Sequence, residues 1–210
     1  MELVFASGNI DKVKQVKLIL KDVDIKTPED YNIKNFEVDE DAPDLKGNSY
    51  KKAKVLYDLI SKPTIADDTG LFVNALDGKP GVYSHRYASE NPSYKENRDK
   101  LLAELSEKSD RNAYFQTVLC FIDKDGNDHY FSGKLPGTIT KEEIGDYEFG
   151  YDQIFMPKGL NKTLGQMTKY EINEISHRAK AFNKFKEYIR ENYDENISYK
   201  WYPWFIFTYK

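Results

Sequence analysis

Asp67 and Asp68 stand side by side in "TIADDTGL", at the end of an apolar run. Two neighbouring carboxylates in such a place are costly unless cations meet them. Successive side chains of a strand point to opposite faces, so the two aspartates are expected to find different partners. One would brace the chain; the other would hold a hard cation through oxygen, in the manner of Mg²⁺. Two turn-forming aspartates, with Thr69-Gly70 as the turn, are the plainer alternative. A second cluster lies near the start, where the apolar strand Leu3–Ala6 breaks at Ser7-Gly8-Asn9 and a helical pattern follows with Lys12 one turn inside. Such a strand-to-helix turn aims backbone N–H groups and the positive end of the helix dipole at an anion, and Lys12 adds a point charge. The same residues would also serve as an ordinary helix cap.

Three further stretches carry chemistry-bearing residues. Glu37, Asp39, Glu40 and Asp41 form an acidic run that is either a solvated loop or a source of a second carboxylate for a metal. Phe149 and Tyr151 flank Gly150 in "EFGYDQIF", offering ring faces on which a base could stack, or simply core aromatics. Ser176-His177-Arg178 sets two donors side by side near a helix start, suited to a phosphate or a purine edge, or to a surface pair.

These residues must be held by an ordered frame, and the sequence supplies one. The helix Ile10–Lys21 carries an apolar stripe from Val13, Val16, Leu18 and Leu20, and a short strand near Val23–Lys26 follows. A helix capped by Asn48 presents Tyr50, Ala53, Leu56, Tyr57 and Ile60 on one face and stops before Pro63. After a loop through "GKPGVYSHRYAS" a helix runs from Asn91-Pro92 to about Leu105. Alternation on both sides of Asp125-Gly126 predicts a long hairpin. "FGYDQIFMP" predicts a short strand, and Asn173–Asn192 a helix with Ala179, Phe182, Phe185 and Ile189 inward. Alternating strands and helices with a late hairpin predict an α/β fold built on a mixed sheet with helices on its faces.

Composition bounds the rest. At 210 residues, 40% hydrophobic and 31% charged, the chain suits one α/β domain with a sizeable core. The net charge of −4 gives no global field for nucleic acid, so an anionic ligand must meet a local patch. The single cysteine, Cys120, excludes an internal disulfide and reads as a buried strand residue. Neither a signal peptide nor a membrane-spanning run is apparent, which predicts a cytoplasmic protein without a membrane partner. The segment 194–210 ends in "ISYKWYPWFIFTYK"; it is set apart from the 1–193 domain and expected to be buried against its own domain or a second copy.

The motifs in their order, SGNxxK, ADDTGL, PGVYSxRY, FGYD and SHR, with "NSYKKA" and "GKLPGTI" in register, resemble the inosine triphosphate pyrophosphatase family of non-canonical purine nucleotide pyrophosphatases. The resemblance covers about residues 2 to 190. It implies an elongated mixed-sheet domain with two lobes around a central nucleotide-binding cleft, a homodimer, and hydrolysis of ITP, XTP and their deoxy forms to monophosphate and pyrophosphate. By the same resemblance, Ser7, Gly8, Asn9 and Lys12 bind the triphosphate and Lys52 adds a phosphate contact. Glu40 and Asp68 hold Mg²⁺, with Asp68 activating water and Asp67 and Thr69 beside it. Phe149, Gly150, Tyr151 and Asp152 line the base pocket, which His177 and Arg178 close. The pattern departs at three places: Gln15 and Gly47 replace glutamates, and Ile172 replaces a lysine that helps read the six-position oxygen of the base. Because isoleucine cannot donate a hydrogen bond, altered base selectivity is expected. Two other readings stay open: a related pyrophosphatase with another base preference, and a nucleotide-binding protein without turnover.

Overall fold

The computed structural model describes residues 2–193; the aromatic extension lies outside the described residues. The strands are β1 (Glu2–Phe5), β2 (Asp24–Lys26), β3 (Thr64–Val73), β4 (Pro80–Gly81), β5 (Asn112–Ile122), β6 (Asp128–Ile139) and β7 (Phe155–Pro157). The helices are α1 (Ile10–Ile19), α2 (Leu45–Ile60), α3 (Tyr94–Glu104), α4 (Lys169–Ile175) and α5 (His177–Tyr193). The strands form one mixed sheet in the order β2-β1-β3-β5-β6-β7, with β4 paired to β3. β1 runs parallel to β2 and β3, and the remaining pairs are antiparallel.

Strand alternation builds the layers. Leu3, Phe5, Ile65, Leu119 and Phe121 face α1 and α5, where Val16, Leu20, Phe182 and Phe185 meet them. Val4, Ala6, Ala66, Cys120 and Ile122 face the other way, onto Ala53 and Leu56 of α2. β3, β5 and β6 extend beyond this double-faced core into a second lobe, packed around Leu71, Phe115, Leu135, Phe155 and Leu164 with Leu101 of α3 and Ile172 of α4. The cleft lies between the two lobes.

Several local expectations are corrected. Thr69-Gly70 is no turn: β3 passes straight through both, because β5 pairs with it residue for residue from Thr64 to Val73. α2 starts earlier than expected, capped by Asp44, whose carboxylate accepts from the Gly47 N–H at 2.7 Å. Asn48 therefore sits inside the helix, fully buried. Leu18 is turned out to solvent, so the inward stripe of α1 rests on Val16, with Leu20 at its C-terminal cap. The last helical segment is two helices. A Thr168/Glu171 capping box starts α4, and Ser176 adopts an extended conformation, its hydroxyl accepting from the Ala179 N–H at 3.1 Å. That break turns the chain so that His177 and Arg178 open α5 at the cleft. It also brings the α5 backbone onto β6, where a Cβ at Gly133 would lie 2.1 Å from the His177 carbonyl oxygen.

Candidate active site

A cleft of about 1140 Å³ is lined by the Ser7–Asn9 turn, Lys12, Glu40, Lys52, Asp67, Asp68, Thr69, the 149–152 segment, His177 and Arg178. All the residues expected to bind a nucleotide or a metal thus border one space, although α1, α2, β3, the 149–152 segment and α5 come from distant parts of the chain. Of the acidic run, Asp41 stands apart and pairs with Lys51 on the exposed side of the loop.

The β3 doublet organises this space. Asp67 shares its face with Ile65 and points toward α1 and α5. Its Oδ2 accepts from Arg178 Nε at 3.0 Å, while Lys12 Nζ stands 3.7 Å from Oδ1. Oδ1 is buried without a hydrogen bond among the described residues. Burial alone would push this carboxyl up, but Lys12 and Arg178 hold it well below the usual carboxylate range. Arg178 is buried too, and each of its three nitrogens has a partner: Nε on Asp67, Nη1 on Gln15 Oε1 and Nη2 on Thr69 Oγ1 at 3.2 Å. Gln15 in turn donates to Asn173 Oδ1 at 3.1 Å, tying α1 to α4. The side chain at position 15 therefore orients Arg178 as a neutral amide rather than as a carboxylate.

Asp68 points the other way, toward α2. Asn48 Nδ2 donates to its Oδ2 at 3.1 Å, and Lys52 Nζ reaches its Oδ1 at 3.3 Å and Glu40 Oε1 at 2.8 Å. Burial raises the Asp68 pKa, Lys52 works against this, and Glu40 adds to it. Burial also opposes ionisation of Glu40, yet Lys52 and Lys12 bring its pKa below the ordinary value. Asn48 also accepts from the Ala42 N–H at 3.0 Å, pinning the acidic loop to α2. Gly47 belongs to this closure: a Cβ there would lie 2.7 Å from the Ala42 Cβ. Arg86 closes the same loop from above, donating through Nη2 to the Glu40 carbonyl.

At the mouth of α1, Asn9 caps the helix as the plainer reading expected. Its Oδ1 takes the N–H groups of Asp11 and Lys12 at 3.0 and 3.1 Å, and Ser7 Oγ takes that of Asn9 at 3.2 Å. Capping and anion binding coexist here, since Lys12 still projects along the cleft. Burial lowers the Lys12 pKa, with Asp67 opposing.

On the opposite wall Phe149 meets Tyr94 edge-on at 5.6 Å between centroids. Tyr151 differs from the stacking expectation: its ring is packed in the second core and its hydroxyl donates to the Ser84 carbonyl at 2.7 Å. Burial pushes the Asp152 carboxyl up to about 8, against the pull of Arg178 and Arg98. Ile172, 5% exposed, packs into the second core and is absent from the cleft wall. Sequence reasoning missed Asn48 as the buried partner of Asp68, and His85 and Arg86 as residues of the cleft lining. A signal existed for two of them, since Ser-His-Arg occurs at 84–86 as well as at 176–178.

The molecule is thus an α/β protein with a mixed sheet, two lobes and a cleft where Lys12, Lys52 and Arg178 interleave with Glu40, Asp67 and Asp68 around the β3 doublet. Residues 3–188 match the Ham1 family, and the chain belongs to it. A dITP/XTP pyrophosphatase of Flavobacterium psychrophilum is 41% identical over 182 residues, covering 86% of this chain and 95% of that protein. One from a Thermoanaerobacter species is 39% identical over 201 residues, covering 93% of this chain and all of that protein. The solved structure of the Staphylococcus aureus Ham1 protein aligns with a TM-score of 0.83 at 36% identity, covering 91% of this chain and 99% of that one.

Proposed function

We propose that this chain is a nucleoside triphosphate pyrophosphatase that hydrolyses dITP, XTP and related non-canonical purine nucleotides to monophosphate and pyrophosphate, clearing them from the nucleotide pool. The observation that carries this reading is the β3 doublet at the cleft, one carboxylate paired with Arg178 and Lys12, the other meeting Glu40 at Lys52. The names of the relatives supply the substrate class.

Lys12 and Lys52 neutralise phosphate charge, and the Ser7–Asn9 turn orients the chain of phosphates. Asp68 accepts the proton of the attacking water, whose oxygen bonds to the α-phosphorus as the bond to the bridging oxygen breaks and pyrophosphate leaves. Glu40 and Asp68 suit a divalent cation, which we take to be Mg²⁺: both carboxylates already reach one cationic centre, Lys52 Nζ, at 2.8 and 3.3 Å. When bound, the metal supplies charge neutralisation and orientation of the phosphates. Phe149, Gly150, Tyr151, Asp152 and His177 form the base end, with Arg178 as the brace behind it.

We take the protein to be homodimeric, as the resemblance implies, and cytoplasmic, with 194–210 as an extension to the catalytic domain. No described helix is long and apolar enough to cross a membrane. Chromatography of the products from ITP and magnesium tests the reaction: monophosphate and pyrophosphate are expected, and diphosphate with orthophosphate would overturn the cleavage position. Omitting the metal should abolish turnover, and sedimentation of the full chain decides the dimer.

A further inference from the structure

The first turns of α3 carry Tyr94, Asn97 and Arg98, spaced i, i+3 and i+4 and therefore on one face of the helix. All three lie outside the ordered motifs. Tyr94 meets Phe149 edge-on. Asn97 brackets the 85–88 segment, its Nδ2 donating to the His85 carbonyl at 3.0 Å and its Oδ1 accepting from the Ala88 N–H at 2.8 Å. Arg98 is 2% exposed and lies behind the cleft lining rather than in it. Its Nε donates to Glu143 Oε1 at 2.6 Å and its Nη1 to the Gly150 carbonyl at 2.9 Å.

A guanidinium taken out of water is costly unless its donors are met, and the half-buried Glu143 meets only one side of this one. The other side is spent on the backbone of a cleft-lining loop. Gly150 has a left-handed φ of 55°, and the space where a Cβ would stand is open, so packing does not fix it. Apart from turn bonds with its immediate neighbours, the 149–152 segment is tied to other elements by two hydrogen bonds among the described residues. One runs from the Tyr151 hydroxyl to the Ser84 carbonyl, the other from Arg98 to the Gly150 carbonyl. The first holds a side chain packed in the second core; the second holds the backbone next to Phe149. Arg98 also opposes the effect of burial on the Asp152 carboxyl, so its charge is felt on both sides of Tyr151.

We propose that Arg98 is a positioning residue for the nucleotide: without touching it, the guanidinium fixes the Gly150 carbonyl and thereby the placement of Phe149 and Asp152 along the cleft. The inference rests on the nucleotide pyrophosphatase reading above. It adds a buried residue of α3 that acts from behind the wall. Loss of the tether lets that wall shift and weakens the fit of a ligand that reaches it. The phosphate end is held by Lys12 and Lys52 in the other lobe and stays as it was.

Inorganic triphosphate, which carries the phosphates and no base, separates the two ends. In a double variant, Arg98→Met with Glu143→Gln, the tether is lost and neither partner is left as an unpaired charge. KM for ITP should rise about tenfold with kcat within about threefold, while the inhibition constant of inorganic triphosphate stays within about twofold of the wild type. Glu143→Gln alone removes the ion pair and keeps the tether, so it should melt below the wild type yet keep both constants. A purely structural Arg98 would make these variants move together. Arg98→Lys keeps a charge beside Glu143 but offers one nitrogen where the guanidinium uses two; it should show the same split, and it carries the test if the double variant does not fold. An unchanged KM in a folded Arg98 variant, an equal loss of inorganic triphosphate binding, or an ITP defect in Glu143→Gln as large as in the double variant would overturn the proposal. If the wild type binds ITP without hydrolysing it, the enzymatic reading fails separately, and the dissociation constants of ITP and inorganic triphosphate decide the role of Arg98 instead. If ITP does not bind at all, both fall.

Discussion

The two faces of β3 carry the same side chain one residue apart and treat it in opposite ways. On the α1–α5 face Asp67 is clamped by a buried guanidinium and a lysine, and its pKa is driven down. On the α2 face Asp68 shares one lysine with Glu40, accepts a single amide, and has its pKa driven up. Desolvation is similar on both sides, since Asp67 and Asp68 are 2% and 3% exposed. What differs is the count of cations per carboxylate. One face makes a brace that carries Arg178; the other leaves a carboxylate whose pKa is raised, in the direction the proposed role of Asp68 requires.

Asp68→Asn should break this contrast most severely. It keeps volume and the Asn48 contact geometry but removes the base, so kcat should fall about a thousandfold with the melting temperature little changed. Near wild-type turnover would place the base elsewhere.

Asp67→Asn should show the reverse emphasis, a stability defect of about 3–5 kcal/mol in denaturant titration, because the buried Arg178 charge loses its partner. The Asp67 carboxyl is depressed in the folded state, so its stabilisation is present above the unfolded value of 3.8 and is lost only as the pH falls below it. The Asn variant should therefore lose part of the wild type's steep acid unfolding. A variant as stable as the wild type at pH 7 would show that the clamp contributes nothing net.

Lys12→Ala sharpens the contrast from the substrate side. A phosphate contact made in ground and transition states alike is uniform binding, so KM should rise about tenfold or more while kcat moves less. An equal loss confined to kcat would instead assign Lys12 to the transition state.

The smallest effect is expected at Asp152, which resembles Asp68 in being raised by burial. Its folded value of about 8 lies above the unfolded 3.8, so its stabilising contribution is full below 3.8 and is lost as the pH rises toward 8. Asp152→Asn, which mimics the neutral acid, should melt a few degrees above the wild type at pH 8 and level with it near pH 4. Parallel melting curves across that range would show that the carboxyl is already ionised at neutral pH.

The partition of the doublet is legible in the residues alone, because strand alternation is a local rule that forces Asp67 and Asp68 apart. The hairpin around Asp125-Gly126 and the inward face of α5 are legible for the same reason, and the ordered motifs point to the family. The errors are local signals read without their context. Thr69-Gly70 looks like a turn until β5 pairs across it. Asn48 looks like a cap, yet Asp44 takes that role and releases Asn48 to hold Asp68. The α4–α5 break carries neither Gly nor Pro and is visible only through the capping pattern of Thr168 and Ser176.

By itself, then, the sequence determined the alternation that parts Asp67 from Asp68, the hairpin around Asp125-Gly126 and the inward face of α5, and its ordered motifs pointed to the family. The first three follow from periodicity and short-range chemistry, the last from the resemblance of those motifs to a known family. Only the tertiary structure decided which cation meets which carboxylate, that Gln15 orients Arg178, that Ile172 lies in the core, and that Arg98 holds the Gly150 carbonyl. Those pairings join residues up to 163 positions apart. They depend on strand register and on the angle at which α5 leaves Ser176, quantities set by the packing of the whole core rather than by any stretch of the chain.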